Sequence, residues 1–201
     1  MAFAGECNLL KRAVFLDRDG VINPLVYNPL TGEYESPHYV EDFSIFPYVA
    51  VSLKKVVKMG FLLFLVSNQP SFAKGKTTME NIQAIHAAMD NFFTEQDIQF
   101  MHYYYCYHHP AGVIPDLTFA CDCRKPKNKF LINAETDYGV NLASSWFIGD
   151  QDSDIECGLS KNLTTIGIEN KNSIKKRGSI IPHFKAANLH EAVDIIEKVC
   201  S

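Results

Sequence analysis

The sequence predicts an α/β fold, with one doubly wound, mostly parallel sheet flanked by helices on both faces. Three observations predict it. Short apolar runs alternate with longer segments of helical periodicity, which is the pattern of parallel βαβ units. Polar residues follow several of these runs directly, and parallel sheets bind ligands at the carboxyl ends of their strands. The 201 residues suffice for a single domain over 1–201 with a small insert.

Each apolar run is short and bounded by turn signals, so we assign it to a strand. The predicted strands cover residues 13–16, 61–66, 101–106, 145–148 and 163–168. Helical periodicity predicts helices at about 48–58, 78–95, 128–138, 152–161 and 188–199.

Two stretches interrupt this alternation, and we interpret both as functional inserts. Residues 23–46, rich in Pro, Tyr and Glu, form a long connection of the kind that acts as a lid or specificity loop. Residues 106–125 contain a cluster of Cys and His. The basic run 171–177 is interpreted as a solvated loop, with a contact to phosphate or a partner as the alternative.

The composition excludes several classes of function. Hydrophobic residues make up 47% and charged residues 21%, as in ordinary globular proteins. A net charge of −4 gives no general attraction for nucleic acid or anionic membranes. The longest apolar runs are too short to cross a bilayer, and the opening residues do not resemble a secretory signal. We therefore expect a cytoplasmic monomer that acts on a small polar or anionic molecule.

A pair of carboxylates follows the first predicted strand. Asp17 and Asp19 are separated by Arg18 and followed by Gly20. Alternation along an extended chain places the two carboxylates on the same side, and glycine permits a sharp turn after them. One can attack a substrate while the other transfers protons, as in phosphoryl transfer. A calcium loop or a solvated turn is the alternative, and the segment 21–25 argues against calcium.

Two further polar clusters contain groups that bind phosphate. Ser67, Asn68 and Gln69 follow the second predicted strand, and their hydroxyl and amide groups can donate to a phosphate oxygen. Arg124 and Lys125 precede a predicted helix and supply two cations, one as a bidentate fork and one as a point charge. Alone, the first cluster is better interpreted as a polar turn and the second is often surface charge, so their joint occurrence is the evidence.

An acidic cluster follows the fourth predicted strand and indicates magnesium. Mg²⁺ is bound by one or two carboxylates together with substrate phosphate, so Asp17 and Asp150 could share one ion. Helix capping is the alternative, because Asp150, Asp152 and Asp154 lie near a predicted helix N-terminus. We assign capping to Asp152, and we expect Asp154 to orient the other site residues.

The cysteine spacing indicates a structural zinc site. Cys106 and His108 are followed by Cys121 and Cys123, a set that can enclose a tetrahedral ion. Such a site would fix the loop that ends at the two cations. The sequence leaves open whether His109 replaces His108, and whether any metal binds.

In their order along the chain, these motifs resemble those of the haloacid dehalogenase superfamily of aspartyl phosphatases. The resemblance implies that Asp17 attacks phosphorus and that Asp19 acts first as acid and then as base. It further implies that Ser67 and Lys125 hold the phosphoryl oxygens. Mg²⁺ would be bound by the Asp17 carboxylate, the Asp19 backbone carbonyl and the Asp150 carboxylate. The fold implied has no large cap domain.

The zinc loop is similar to that of the D-glycero-D-manno-heptose 1,7-bisphosphate 7-phosphatase family, with the histidinol-phosphate phosphatases second. This implies hydrolysis of a small sugar phosphate, with Asn23, Asn68, Gln69 and Arg124 as substrate contacts. The segment 70–72, Gln151 and other expected pocket positions depart from the family pattern. A changed sugar phosphate, or a weakened binding or scaffold module, is the alternative.

Overall fold

The computed structural model describes residues 11–201, so the opening residues lie outside the described part of the chain. A sheet of six parallel strands, ordered β5-β4-β1-β6-β7-β8, forms the centre, and β2 and β3 form a separate antiparallel hairpin. The strands are β1 (Ala13–Leu16), β2 (Val26–Asn28), β3 (Glu33–Glu35), β4 (Leu62–Asn68), β5 (His102–Cys106), β6 (Trp146–Gly149), β7 (Thr164–Ile168) and β8 (Phe184–Ala186).

Helices cover both faces of the sheet. The α-helices are α1 (Val49–Lys58), α2 (Met79–Glu95), α3 (Lys129–Tyr138), α4 (Asp152–Leu159) and α5 (Leu189–Cys200), and the 3₁₀ helices span Val40–Asp42, Pro115–Leu117, Leu142–Ser144 and Lys171–Lys176. The predicted doubly wound α/β class is therefore confirmed. None of the described helices is long and apolar enough to cross a membrane.

Alternation along β1 divides the core into two layers. Val14 and Leu16 face the cluster that contains residues of α1, α2 and α5, whereas Ala13 and Phe15 face the cluster that contains residues of α3 and α4. All four side chains are fully buried. A strand buried on both faces reads as a continuous apolar run, which explains why the sequence located β1 so well.

The strand order places a topological switch point at β1. The chain proceeds from β1 to β4 and β5 on one side, and then returns to β6 on the other side of β1. The connection after β1 and the connection after β6 run in opposite directions, which opens a crevice at the carboxyl ends of these two strands, where doubly wound sheets bind ligands. Asp17 follows β1 at this crevice.

The structure also contains strands that the sequence analysis missed. The insert 23–46 folds into the β2–β3 hairpin, with Tyr27 opposite Tyr34 and a turn at Gly32, whose φ is +66°. Strand β8 extends the sheet beside β7. Each of these strands has three residues, which is too few for a hydrophobic period to appear in the sequence.

Candidate active site

A cavity of about 540 Å³ lies at the carboxyl end of the central strands. This volume falls in the range that suits small-molecule ligands. Asp17, Asp19, Asn68, Arg124 and Lys125 all line it, so the structure brings these predicted residues together. The β2–β3 hairpin, which lies within the predicted specificity loop, contributes further lining residues.

Asp17 is a buried carboxylate whose polar contacts are all made through one oxygen, Oδ1. Its Oδ1 accepts hydrogen bonds from the backbone N–H of Arg18 at 2.7 Å and the hydroxyl of Ser67 at 2.9 Å, and it lies 2.9 Å from the Lys125 Nζ. These contacts leave Oδ2 for a ligand. Burial raises the pKa of Asp17 to about 6, although the charge of Lys125 opposes the shift.

Gly20 allows Asp17 and Asp150 to share one site. Its φ is +88°, a left-handed conformation that favours glycine. A Cβ atom at this position would lie 2.1 Å from Oδ2 of Asp150. The predicted turn after the carboxylate pair is therefore confirmed, and its second purpose is to leave room for the Asp150 side chain.

Asp19 is fixed by a buried polar network. Arg18 donates to it from Nε and Nη2, Gln69 Nε2 donates to Oδ2 at 2.7 Å, and Asn23 Nδ2 donates to Oδ1 at 3.0 Å. Burial alone would raise the pKa of Asp19. The Arg18 charge and the hydrogen bonds outweigh burial and hold this pKa below its ordinary value.

The structure places the side chains of Asn23 and Gln69, both predicted substrate contacts, against Asp19. Their side chains are 0% and 2% exposed and do not line the cavity. Their amide groups are used for Asp19, and Gln69 also bonds the hydroxyl of Ser67 at 3.0 Å. Both residues therefore hold Asp19, which lines the cavity, from the protein interior.

Lys125 forms the electrostatic centre of the site. Its ammonium group lies 2.9 Å from Asp17 Oδ1, 2.8 Å from Asp154 Oδ1 and 2.6 Å from the carbonyl oxygen of Val66. Burial by itself would lower the pKa of Lys125. The charges of Asp154 and Asp17 outweigh burial and raise this pKa above its ordinary value. The expectation that Asp154 orients the site is met in this geometry, since its carboxylate holds the cation in place.

Three buried carboxylates fit a divalent cation. Ligand oxygens of Asp17, Asp150 and Asp154 lie within 4.8 Å of one another. Burial, followed by the charges of Asp17 and Asp154, raises the pKa of Asp150 to about 8. Its Oδ1 is buried without a hydrogen-bond partner. An oxygen-only donor set of this kind matches Mg²⁺.

The basic run 171–177 is not simply a solvated loop, and that interpretation is corrected. The Ser173 hydroxyl donates to the carbonyl oxygen of Asp150 at 3.1 Å, and Arg177 Nε donates to the same oxygen at 2.9 Å. Asn170 Nδ2 donates to Asp150 Oδ2 at 3.3 Å. This segment therefore holds the Asp150 backbone and side chain in place.

The capping role predicted for Asp152 is wrong. Asp152 Oδ2 accepts from the backbone N–H groups of Gly178 and Ile180, at 2.8 and 3.3 Å, so it anchors the segment after the basic run. Asp154 instead caps α4, because its Oδ2 accepts from the Gln151 N–H at 3.0 Å. One carboxylate thus caps the helix with one oxygen and holds Lys125 with the other.

The Cys and His cluster forms beside the cavity. Sγ of Cys106, Cys121 and Cys123 lie 3.2 to 3.4 Å apart, and Nδ1 of His108 lies 3.4 Å from Cys123 Sγ. The ligand atoms of all four residues lie within 4.8 Å of one another, which fits a tetrahedral ion. His109 is not in this cluster, since its Nδ1 accepts from the N–H of Ala111.

The loop that contains Cys121 and Cys123 leads directly into the two cations Arg124 and Lys125. Asn68 clamps it, because its Nδ2 donates to the Lys125 carbonyl and its Oδ1 accepts from the Lys125 N–H, both at 3.1 Å. Arg124 lines the cavity and lies beside the carbonyl oxygen of His108. A metal in the cluster would therefore fix the direction of both cations.

The comparisons with known proteins place this site in a family. A family model described as HAD-hydrolase-like matches residues 122–192. The D-glycero-β-D-manno-heptose-1,7-bisphosphate 7-phosphatase of Escherichia coli K12 is 32% identical over 153 residues, which cover 76% of this chain and 76% of that protein. The chain belongs to the haloacid dehalogenase superfamily of phosphatases. It is therefore a phosphoric monoester hydrolase.

A second relative and a solved structure are also similar to this chain. The D-glycero-α-D-manno-heptose-1,7-bisphosphate 7-phosphatase of Photorhabdus laumondii is 32% identical over 147 residues, covering 73% of this chain and 76% of that protein. The D,D-heptose 1,7-bisphosphate phosphatase of B. bronchiseptica, solved with magnesium and phosphate, has a TM-score of 0.76 at 19% identity, covering 94% of this chain and 99% of that chain. This structural likeness establishes the fold.

Sequence reasoning missed several residues of this phosphatase site. Asn170, Ser173 and Arg177 support Asp150, and Lys74 and Lys176 line the cavity. For the segment 171–177, the signal available in the sequence was its high density of cations. Its position beside Asp150 depends on the sheet order, which places β7 next to β6.

Proposed function

We propose that this phosphatase uses Mg²⁺ to hydrolyse a small sugar phosphate, with the 7-phosphate of D-glycero-D-manno-heptose 1,7-bisphosphate, or of a related sugar bisphosphate, as the preferred target. The observation that supports phosphate hydrolysis is that Asp17, Asp19, Lys125 and Asp150 lie together at one crevice. The names of two relatives, each 32% identical to this chain over the aligned residues, support the proposed substrate.

The proposed reaction proceeds through an aspartyl phosphate. Oδ2 of Asp17 attacks phosphorus, while Ser67 and Lys125 bind the oxygens of the transferring group. In its protonated form, Asp19 would donate its proton to the leaving sugar oxygen. It then takes a proton from the water that attacks the aspartyl phosphate, which restores its starting form. Arg18 and Gln69 hold Asp19 in one orientation for both steps.

Asp17, Asp150 and the backbone carbonyl of Asp19 would bind Mg²⁺, with Asp154 nearby. The ion supplies positive charge that neutralises the phosphoryl oxygens and the crowded carboxylates. The burial of Asp150 and its unpartnered oxygen support this assignment, because an unpaired buried carboxylate is costly without a cation.

Zn²⁺ is proposed for Cys106, His108, Cys121 and Cys123. Three sulfurs and one ring nitrogen complete a tetrahedral shell, which leaves no open coordination position for substrate. We therefore assign this zinc a structural role, in which it fixes the loop that carries Arg124 and Lys125.

A panel of phosphate esters tests the proposed function. We expect purified protein to release phosphate from heptose 1,7-bisphosphate with Mg²⁺, to prefer it over histidinol phosphate and other monophosphates, and to lose activity in EDTA until Mg²⁺ is restored. Preference for histidinol phosphate would overturn the substrate assignment. Absence of turnover across the panel, with Mg²⁺ bound, would favour the scaffold alternative.

Cys121→Ser is expected to remove zinc and most of the activity. The serine hydroxyl is a poor zinc ligand, and loss of the ion frees the loop that positions both cations. Elemental analysis should give about one zinc per chain in the native protein and much less in the variant. Cys200→Ser, which changes an exposed cysteine, is the control. Full zinc content in Cys121→Ser would contradict the assignment.

A further inference from the structure

Arg18, which lies between the two site carboxylates in the sequence, uses only part of its guanidinium group for Asp19. Its Nε and Nη2 donate to Asp19, and Nη2 also donates to Gln69 Oε1 at 2.9 Å. Its Nη1 is buried and has no hydrogen-bond partner among residues 11–201. The residue is only 1% exposed, so bulk solvent does not satisfy this nitrogen. The reaction proposed above gives this end of the guanidinium no role.

Two aromatic side chains bury further polar atoms that lack a partner in the described part of the chain. These atoms are Oη of Tyr105, on β5, and Nε2 of His86, on α2. The two rings stack, with centroids 3.7 Å apart and planes 7° apart. Tyr105 pairs in register with Ser67 on β4, and the Ser67 hydroxyl accepts from Gln69. Both aromatic residues therefore border the network that holds Asp19.

The positive charge of Arg18 acts on both rings. Burial, followed by this charge, lowers the pKa of His86 to about 3. Burial raises the pKa of Tyr105, and the Arg18 charge opposes that shift. Because interactions between charges weaken with distance, both rings lie near the guanidinium group. The imidazole is neutral at pH 7, so one of its ring nitrogens carries a lone pair that can accept a hydrogen bond.

We propose that His86 and Tyr105 are positioning residues for Asp19, and that they act through one buried water shared with Arg18 Nη1. This inference rests on the proposed function, in which Asp19 serves as acid and base. Buried polar groups pair with protein or with ordered water, and a buried water makes about three hydrogen bonds. The water would accept from Arg18, donate to His86 and bond the hydroxyl of Tyr105. It would fix one end of the guanidinium group whose other end holds Asp19.

The test compares two substrates that differ in their need for an acid. The sugar oxygen that leaves heptose 1,7-bisphosphate needs a proton from Asp19, whereas acetyl phosphate releases acetate, which leaves as a stable anion. For Tyr105→Phe and His86→Phe, we expect the ratio of kcat/KM for the bisphosphate to that for acetyl phosphate to fall about 10-fold or more. A misplaced acid loses part of a contribution that is about 10²–10⁴-fold. Damage to folding, metal binding or Asp17 would lower both values together and leave the ratio unchanged.

A conservative variant and a double variant test the shared water. His86→Gln should recover most of the ratio that His86→Phe loses, because its side-chain amide can again bond the water. The effects of Tyr105→Phe and His86→Phe should not multiply in the double variant, since each already breaks the same water-mediated contact. Effects that multiply would contradict the shared water.

Tyr103→Phe is the matched control. Tyr103 lies two residues before Tyr105 on the same strand, and its hydroxyl donates to Asp90 Oδ1 at 3.1 Å. It does not line the cavity. The variant removes the same hydroxyl group from the same residue type, and its ratio should stay within about 2-fold of the native value, since substitutions away from a site have small effects.

A high-resolution crystal structure gives a readout that does not depend on turnover. In the native protein we expect one ordered water within about 3.2 Å of Arg18 Nη1, His86 Nε2 and Tyr105 Oη. Absence of this water, or an unchanged ratio in either Phe variant of a protein that hydrolyses the bisphosphate, would overturn the inference alone. A native protein that does not hydrolyse the bisphosphate would instead overturn the proposed function.

Discussion

Asp17→Asn is expected to reduce phosphate release by at least about 10⁴-fold while the protein stays folded. The amide keeps the shape of the carboxylate but lacks its nucleophilic oxygen. Folding should survive because the carboxylate is buried beside Asp150 and Asp154, and the neutral side chain removes repulsion between these groups. Steady-state assays with heptose 1,7-bisphosphate and circular dichroism measure the two outcomes.

Acid quenching provides a direct check on the same residue. Native protein mixed with labelled substrate should carry label on Asp17, and the Asn variant should carry none. Asp137→Asn makes the same chemical change at an exposed position on α3 and should retain activity. Undiminished turnover in Asp17→Asn would contradict the aspartyl phosphate mechanism.

Lys125→Met is expected to lower both activity and stability. The variant removes the ammonium group that neutralises Asp17 and Asp154, and both carboxylates are buried. Breaking a buried ion pair by removing one partner costs about 3–5 kcal/mol in the free energy of unfolding. Loss of a cation that binds the transferring group lowers kcat by about 10²–10³-fold. Urea titration and steady-state kinetics measure the two effects.

Lys127→Met is the control for this prediction. Lys127 pairs with Asp122 at 2.8 Å, but its side chain is 52% exposed, and surface ion pairs contribute little to stability. We expect it to retain nearly native stability and activity. If Lys125→Met were as stable and as active as Lys127→Met, the central electrostatic role of Lys125 would be wrong.

Much of the fold could be predicted because its central strands are buried on both faces. The prediction for 13–16 matches β1, and the five predicted helices correspond to α1–α5, with ends that differ by at most two residues. Thr78 and Asn188 cap α2 and α5 through their side chains, so local chemistry marks where these helices begin. The hairpin and β8 were missed because such short strands are stabilised by their neighbours.

Some residues of the candidate site could be predicted from the sequence and others could not, because some roles depend on contacts between distant segments. Asp17, Asp19 and Lys125 carry charge next to apolar strands or at a helix start, so their unusual placement was visible in the sequence. Asn23 and Gln69 are neutral amides, and their distance from the cavity depends on how Asp19 is packed. The role of Asp154 depends on its second oxygen, which faces Lys125 from another segment.

By itself, the sequence determined the α/β class, the carboxylate pair after β1 and the spacing of the Cys and His cluster, because each depends on neighbours along the chain. The tertiary structure decided which groups share the cavity. It placed 170–177 around Asp150, seated Asn23 and Gln69 beneath Asp19, and paired Glu33 and Glu35 with Lys175 and Lys76. The physical reason is that these contacts join segments far apart in the sequence, and strand order and packing set their distances.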